Sequence, residues 1–310
     1  MTSVTVRVPA KINLQLAVGP LRPDGYHGLV TVFHAIGLFD MVSVAAAEAD
    51  SVAVTGEGAG QVPADGANLA LRAVRALRAV VAAQAGPGVA VTINKRIPVA
   101  AGLAGGSADA AAALVACNEL WRAGLPVREL CEVAAGVGSD VAFAVLGGTA
   151  VGRGRGERLT PALMPAVRYH WVLAFADGAL STPEVYGTLD RLRAADGGAG
   201  KVGEPAEPEL STELMAALRA GDLERLGRSL SNDLEAPAIS LFPALRKTLD
   251  VGRESGALGA LVSGSGPTCL FLARDASQAT DLAVALSGAG VCRTVTRVSG
   301  PVPGATVIER

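Results

Sequence analysis

The segment that most restricts what this chain can become runs from an apolar strand pattern, Val89 to Ile93, through Pro98 into the loop Ala-Ala-Gly-Leu-Ala-Gly-Gly-Ser ending at Ser107, and then into an Ala-rich stretch from Ala108 to Leu120. The order is strand, glycine-rich loop, helix. Small residues let a main chain approach an anion closely, and the free N–H groups and positive dipole end of the following helix favour phosphate. The same composition also suits a turn packed tightly on a neighbour, and the loop alone leaves both open. A Walker A loop is excluded, because the only Gly-Lys pair, Gly200-Lys201, is followed by Val202. The dinucleotide pattern G-x-G-x-x-G fails as well, since Gly56-Glu-Gly58 and Gly264-Ser-Gly266 lack the third glycine.

Around this loop the hydrophobic periodicity predicts an α+β chain. Residues 3–18 and 29–47 alternate as strands on either side of a turn-rich segment, and 51–55 forms a third. Asn68 is placed to cap a helix over LALRAVRALRAVVA, with Arg72, Arg75 and Arg78 on its solvated face. Pro126 opens a further helix, Gly138-Ser139-Asp140 precedes the apolar VAFAVL, and a strand follows at 149–152 with Arg153 and Arg155 at a polar hairpin tip. Beyond it the pattern gives a strand over 170–176, a helix start at Ser181-Thr-Pro-Glu184, a loop over 195–209, helices at about 211–230 and 241–255, and strands at 258–262, 268–273 and 291–298. Two α+β halves, 1–160 and 161–310, are the simplest organisation of 310 residues.

Composition excludes several functions. Lys plus Arg number 27 against 29 for Asp plus Glu, a net charge of -2, so no positive field exists to hold nucleic acid. Nothing reaches the roughly 18 uninterrupted apolar residues of a membrane span, and the N-terminal MTSVTVRVPAKINL alternates like a strand rather than a signal peptide, so a cytoplasmic location is expected. The four cysteines are scattered in apolar stretches, and His27, His34 and His170 stand at no metal-ligand spacing.

Two acid–base candidates stand out. Lys11, one of four lysines, lies inside the apolar run Pro9-Ala-Lys-Ile-Asn-Leu14, and Asp140 follows Gly138-Ser139. A carboxylate can accept a proton, and an ammonium beside it can offset developing negative charge. Each residue also has an ordinary reading, Asp140 in a helix first turn and Lys11 as a strand-end charge.

PAKINL at 9–14, Pro98 to Asp109 and Val262-Ser-Gly-Ser-Gly-Pro-Thr268 together resemble the three motifs of the GHMP kinases, in order and across nearly the whole chain. With RPDGYH at 22–27 and GSDVAF at 138–143 the sequence is similar to the branch that acts on a cytidine diphosphate-linked methylerythritol in the non-mevalonate isoprenoid route. The resemblance implies a two-domain fold, with an N-terminal domain like domain 2 of ribosomal protein S5 and a C-terminal ferredoxin-like α/β sandwich. It implies a phosphotransferase using ATP and Mg2+, acting on a small molecule, monomeric or homodimeric, without nucleic acid or membrane partners. Pro98, Val99, Ala100, Ala101, Gly102, Leu103, Ala104, Gly105, Gly106, Ser107 and Ala108 would wrap the ATP phosphates. Lys11 and Asp140 would face the acceptor hydroxyl, Asn13 would lie near the erythritol, and Tyr26 and Tyr186 would sandwich a cytosine read by His27. Metal ligands are left unassigned. The family loop reads G-L-G-G-G-S, whereas Ala104 replaces a glycine here, so that position is expected to be right-handed or the loop to differ slightly.

Overall fold

A computed structural model describes residues 3–23, 25–197 and 207–310, with the side chains of 196 and 197 outside the description. Two long strands, β1 (Ser3–Leu21) and β2 (His27–Ala47), pair antiparallel and form the spine. The strand β3 (Ser51–Gly56) and the helix α1 (Leu69–Val80) follow, then β4 (Gly88–Lys95), α2 (Gly105–Leu120), α3 (Val127–Val137), α4 (Ser139–Leu146), β5 (Thr149–Gly154) and β6 (Arg158–Pro161). The second half contains β7 (Tyr169–Phe175), α5 (Thr182–Gly197), α6 (Thr212–Ala220), α7 (Leu223–Ser229), β8 (Ser231–Asn232), α8 (Glu235–Leu241) and α9 (Ala244–Glu254). It ends with β9 (Gly259–Val262), β10 (Cys269–Ala273), α10 (Ala276–Gly288), β11 (Thr294–Gly300) and β12 (Thr306–Glu309).

The expected α+β class holds. One sheet runs β12-β1-β2-β4-β3, with β5 and β6 attached beyond the first part of β2 and β8 beside β1; the other runs β11-β7-β10-β9. The chain therefore returns its last strand, β12, to the edge of the first sheet. A core containing Val6, Ile12, Leu14, Leu77 and Leu114 continues into Trp171, Leu173, Leu261 and Leu270, so the apolar interior crosses from one half to the other. β1 is buried on both faces along nearly its whole length, so Lys11, Asn13 and Gln15, which alternate with Ile12, Leu14 and Leu16, are buried as well. α2 is buried on almost every face, and its alanines are what allow that close packing. Asn68 caps α1 as predicted, its side chain accepting from the Ala70 amide at 2.9 Å.

Some elements differ from the expectation. The helix read over 211–230 is two helices, because Gly221 adopts φ 67 and Asp222 caps a new start by accepting from the Arg225 amide at 3.0 Å. The helix read over 241–255 is preceded by α8 and begins after Pro243. Of the loop read over 195–209, residues 195–197 complete α5 and 198–206 lie outside the described residues. Arg78 is not a solvated charge: it forms a bidentate pair with Asp50 at 2.6 and 2.7 Å and lies 5.5 Å over the Trp121 ring. Asp50 is held well below the usual carboxylate range chiefly by the Arg78 hydrogen bonds.

Candidate active site

The glycine-rich loop and the two charged candidates meet in one cavity. Its volume is about 500 Å³, and Lys11, Asn13, Ala100, Gly102, Ala104, Gly105, Gly106, Ser107 and Asp140 all line it. α2 begins at Gly105, three residues earlier than its Ala-rich run suggests, so the first turn itself forms the loop's end. The amides of Gly105, Gly106 and Ser107 are left without acceptors inside the helix, pointing their donors toward the cavity end of α2. Ala108, by contrast, is 1% exposed and its amide donates to the Ala104 carbonyl at 2.9 Å, which removes it from the expected phosphate contacts. Leu103 is equally buried, its carbonyl accepting from the Lys11 amide at 3.3 Å, while Pro98 and Val99 face a second cavity of about 380 Å³.

Ala104 settles the question its methyl group raised. It is left-handed at φ 58, ψ 35, and Ala100 is left-handed too at φ 52, so the loop keeps a glycine-type backbone without the glycines. Gly102 at φ +74 has a harder requirement: a Cβ there would stand 2.1 Å from the Ser263 carbonyl oxygen. Ser263 belongs to the turn between β9 and β10, and its hydroxyl donates to the Gly102 carbonyl at 3.2 Å. The second-half Ser-Gly-Ser-Gly segment is thus both a tight inter-strand turn and a wall pressed against the loop.

Lys11, 8% exposed, donates to Asn13 Oδ1 at 2.8 Å and stands 3.8 Å from Asp140 Oδ2. Asn13 in turn donates to Thr31 Oγ1 at 2.7 Å, and Thr31 to the Gln15 carbonyl at 2.7 Å, a relay that fixes the ammonium's position. Asp140 sits in the first turn of α4, where the helix dipole favours its negative charge.

A larger cavity, about 740 Å³, opens beside the first and is lined by Tyr26, His27, Arg72, Gly138, Arg155, Tyr186 and Asp190. Tyr26 is 55% exposed, with the Arg155 guanidinium 5.0 Å over one face of its ring. His27 is 8% exposed, its Nε2 lies 2.9 Å from Asp190 Oδ1, and its ring is 5.1 Å from that of Tyr186. Tyr186 lines both cavities, and burial pushes its phenol up. All four expected substrate residues therefore border this pair of cavities, and Arg155, read from sequence as a hairpin-tip charge, borders both.

Sequence reasoning missed a buried cluster under the loop. Lys95, at the end of β4, donates to Asp40 of β2 at 2.5 Å and to Asp109 of α2 at 2.7 Å, and the other Asp40 oxygen accepts from the Arg96 and Ile97 amides. Burial, reinforced by the Asp40 charge, pushes Asp109 up to about 7. Burial works against the Lys95 charge, but Asp109 and Asp40 outweigh it and raise the ammonium. The cluster ties the two ends of the loop together; its one sequence signal was a scarce lysine just before a glycine-rich loop.

Comparisons with known proteins identify the family. Residues 68–148 match the family model described as GHMP kinases N terminal domain, and 214–292 match GHMP kinases C terminal. The chain is 52% identical to the 4-diphosphocytidyl-2-C-methyl-D-erythritol kinase of Thermobifida fusca, covering 99% of both proteins. It is 55% identical to the protein of that name from Mycolicibacterium smegmatis, covering 99% of this chain and 92% of the relative. A crystal structure titled 4-(cytidine 5'-diphospho)-2C-methyl-D-erythritol kinase superposes with a TM-score of 0.73 at 34% identity, covering 95% of this chain and 98% of that one. Homoserine kinase from Cytophaga hutchinsonii shares the fold at TM-score 0.75 and 21% identity, over 99% of this chain and 98% of that one. A phosphate-type loop closed by a second-half turn, a lysine and an aspartate at its mouth and these full-length likenesses together mean that the chain is an ATP-dependent kinase of the GHMP superfamily and belongs to its 4-diphosphocytidyl-2-C-methyl-D-erythritol kinase family.

Proposed function

We propose that this protein transfers the γ-phosphoryl group of ATP to the 2-hydroxyl of 4-diphosphocytidyl-2-C-methyl-D-erythritol, yielding the 2-phosphate and ADP, in the non-mevalonate route to isopentenyl diphosphate. The observation that carries this reading is the placement of Lys11 and Asp140, 3.8 Å apart, in the cavity that the glycine-rich loop lines, with the Tyr26, His27 and Tyr186 cavity adjoining it.

In this reading residues 1–160 supply the loop and the charged pair, and 161–310 close the crevice. The amides of Gly105, Gly106 and Ser107 hold the nucleotide phosphates at the start of α2. Asp140 orients the acceptor hydroxyl and takes its proton as the oxygen gains the phosphoryl group. Lys11, anchored by Asn13, fixes the carboxylate and offsets negative charge on the transferring group. Tyr26 and Tyr186 flank the cytosine, and His27, oriented by Asp190, reads its polar edge. Ser107 and Asp140, whose side chains carry oxygen donors and which line the same cavity, would hold a Mg2+ ion together with the nucleotide phosphates. The ion would supply charge neutralisation at the phosphates.

No helix among the described residues is long and apolar enough to cross a membrane, and we place the enzyme in the cytoplasm. The decisive experiment is ADP release from ATP with the cytidylyl-methylerythritol, homoserine or mevalonate as acceptor. Turnover confined to the first supports the proposal, and preference for either of the others removes it.

A further inference from the structure

A cavity of about 360 Å³ lies on the reverse face of the first sheet, and three arginines, Arg22, Arg153 and Arg158, line it. Along β2, Leu29, Thr31 and Phe33 line the phosphate-loop cavity, whereas Gly28 and Val30 line this one, as the two faces of a strand alternate; Leu29 borders both. The neighbouring strand agrees: a Cβ at Gly152 would stand 2.8 Å from the Phe33 ring, so Arg153, the next residue along β5, projects to the other side. Arg153 and Arg158 are direct partners in the β5–β6 register, a placement in which like charges repel. Among the described residues neither guanidinium forms an ion pair or a hydrogen bond. Arg22 borders the cavity from the β1–β2 turn, which its amide fixes by donating to the Tyr26 carbonyl at 2.8 Å. Glu207 is the one carboxylate lining it among the described residues; its Oε2 would stand 3.9 Å from a Cβ at Gly28, and it forms no ion pair there. Three arginines against Glu207 leave a local charge of +2 in a chain whose net charge is -2.

We propose that this cavity is a binding site for a small anion of the diphosphate class, separate from the catalytic crevice. A guanidinium presents a planar fork of donors that matches two phosphate oxygens, and arginines that are direct partners on adjacent strands offer two such forks, one for each phosphoryl group. The anion offsets the repulsion that the register imposes on Arg153 and Arg158, and Arg22 adds a third positive charge from the turn. A single phosphoryl group fills one fork and leaves the other cation without a partner, so the site favours diphosphate over orthophosphate. Because β5, β6 and the β1–β2 turn each supply one arginine, the bound anion ties three segments together.

The test is calorimetry of the full chain with inorganic diphosphate and with orthophosphate, without added divalent metal, for wild type, Arg153→Ser and Arg158→Ser, alongside kcat and the KM values for ATP and the acceptor. Wild type is expected to bind diphosphate at least roughly tenfold more tightly than orthophosphate, and each variant to lose roughly tenfold to a hundredfold of that affinity, the worth of a charge-assisted contact. The kinetic constants should stay at wild-type values, since the strand alternation directs neither side chain into the crevice. Diphosphate held by the phosphate loop alone would give the same isotherm in all three proteins and overturn the proposal, as would equal affinity for the two anions. A KM that rises in step with the lost affinity would place the anion in the crevice and overturn it too. Arg158→Glu gives an independent reading, because it sets a carboxylate opposite Arg153: Tm should rise by roughly 1–4 °C and diphosphate binding should vanish. A fall in Tm, or binding retained in this variant, would refute the account of two repelling cations awaiting an anion.

Discussion

Gly102 is the position at which a single methyl group tests how the two halves make one site. The Gly102→Ala variant meets two costs. A non-glycine residue at φ +74 costs about 1–2 kcal/mol, and overpacking a closed contact costs about 1–3 kcal/mol more. The first cost alone is not decisive, because Ala100 and Ala104 are already left-handed in the same loop. The second is specific: the new Cβ would stand 2.1 Å from the Ser263 carbonyl oxygen and 3.1 Å from the Gly266 amide nitrogen and carbonyl oxygen, all main-chain atoms with no rotamer to yield. The sum is about 2–5 kcal/mol, or roughly 4–10 °C in Tm at about 2 °C per kcal/mol for a chain of this length. If the loop moves instead of the whole protein unfolding, the amides at the start of α2 shift and the ATP KM rises. Gly106→Ala is the control, since its Cβ would meet only Leu69 Cδ1 at an ordinary 3.6 Å inside a helix that favours alanine by about 1 kcal/mol. Thermal unfolding of both variants and ATP kinetics of Gly102→Ala check this, and a Gly102→Ala enzyme with wild-type Tm and wild-type ATP KM would refute the packing argument.

Asp140→Asn should abolish most turnover while leaving ATP binding nearly intact, because the amide keeps the shape but cannot accept the proton; a near-normal kcat would remove Asp140 as the base. Tyr26→Ala should chiefly raise the KM for the cytidylyl acceptor, as base stacking on one ring is worth roughly 1–3 kcal/mol, and an equal loss with every alcohol acceptor would make its role structural. Burial holds His34 at about 3 against an unperturbed 6.5, so the native state refuses a proton that the unfolded chain accepts, and its stabilising contribution, present above 6.5, is lost as pH falls toward 3 at up to about 1.4 kcal/mol per pH unit. Asp109, raised from 3.8 to about 7, has the opposite sign, its contribution lost as pH rises through that window. Urea unfolding between pH 4 and 8 should therefore show His34→Gln flattening the acid loss and Asp109→Asn flattening the loss toward neutrality; an unchanged slope in either variant refutes that group's share.

What the sequence disclosed was what local chemistry determines. The β1–β2 spine, the Asn68 cap and the loop before α2 each follow from patterns within a few residues, and the structure has them all. What it concealed depends on partners far along the chain. β8 is two residues long and β12 four, and both exist because β1 offers an edge to residues more than two hundred positions away. Arg78 looked solvated because its helix face is polar, yet Asp50 and Trp121 arrive from other elements to cover it. The break at Gly221-Asp222 was the exception, a local signal of helix stop and cap that the surrounding apolar period overrode. In the candidate site, Lys11, Asn13, Asp140 and the loop stood out only through the family resemblance, whereas the Lys95 cluster forms only when two strands and a helix are brought together.

The position of Lys11 shows why the loop and the acid–base pair cannot be treated as separate parts. Its backbone amide is bonded to the Leu103 carbonyl inside the phosphate-type loop, its ammonium to Asn13 two residues on, and a Cβ at Gly264 would lie 3.3 Å from its Nζ. The strand, the loop and the second-half turn therefore each restrict the same side chain. Asn232 adds a further tie, donating to the carbonyls of Val262 and Gly264 at 2.8 and 2.7 Å while its own strand, β8, pairs with β1 beside Gln15 and Leu16. A displacement of the Ser263–Gly266 turn would consequently move the wall behind Gly102 and the roof over Lys11 together. Under the proposed roles of the loop and of Lys11, one contact between halves holds the donor and orients the acceptor, so that disturbing Gly102, whose new Cβ would meet the Ser263 carbonyl oxygen, is expected to act on both ATP affinity and turnover.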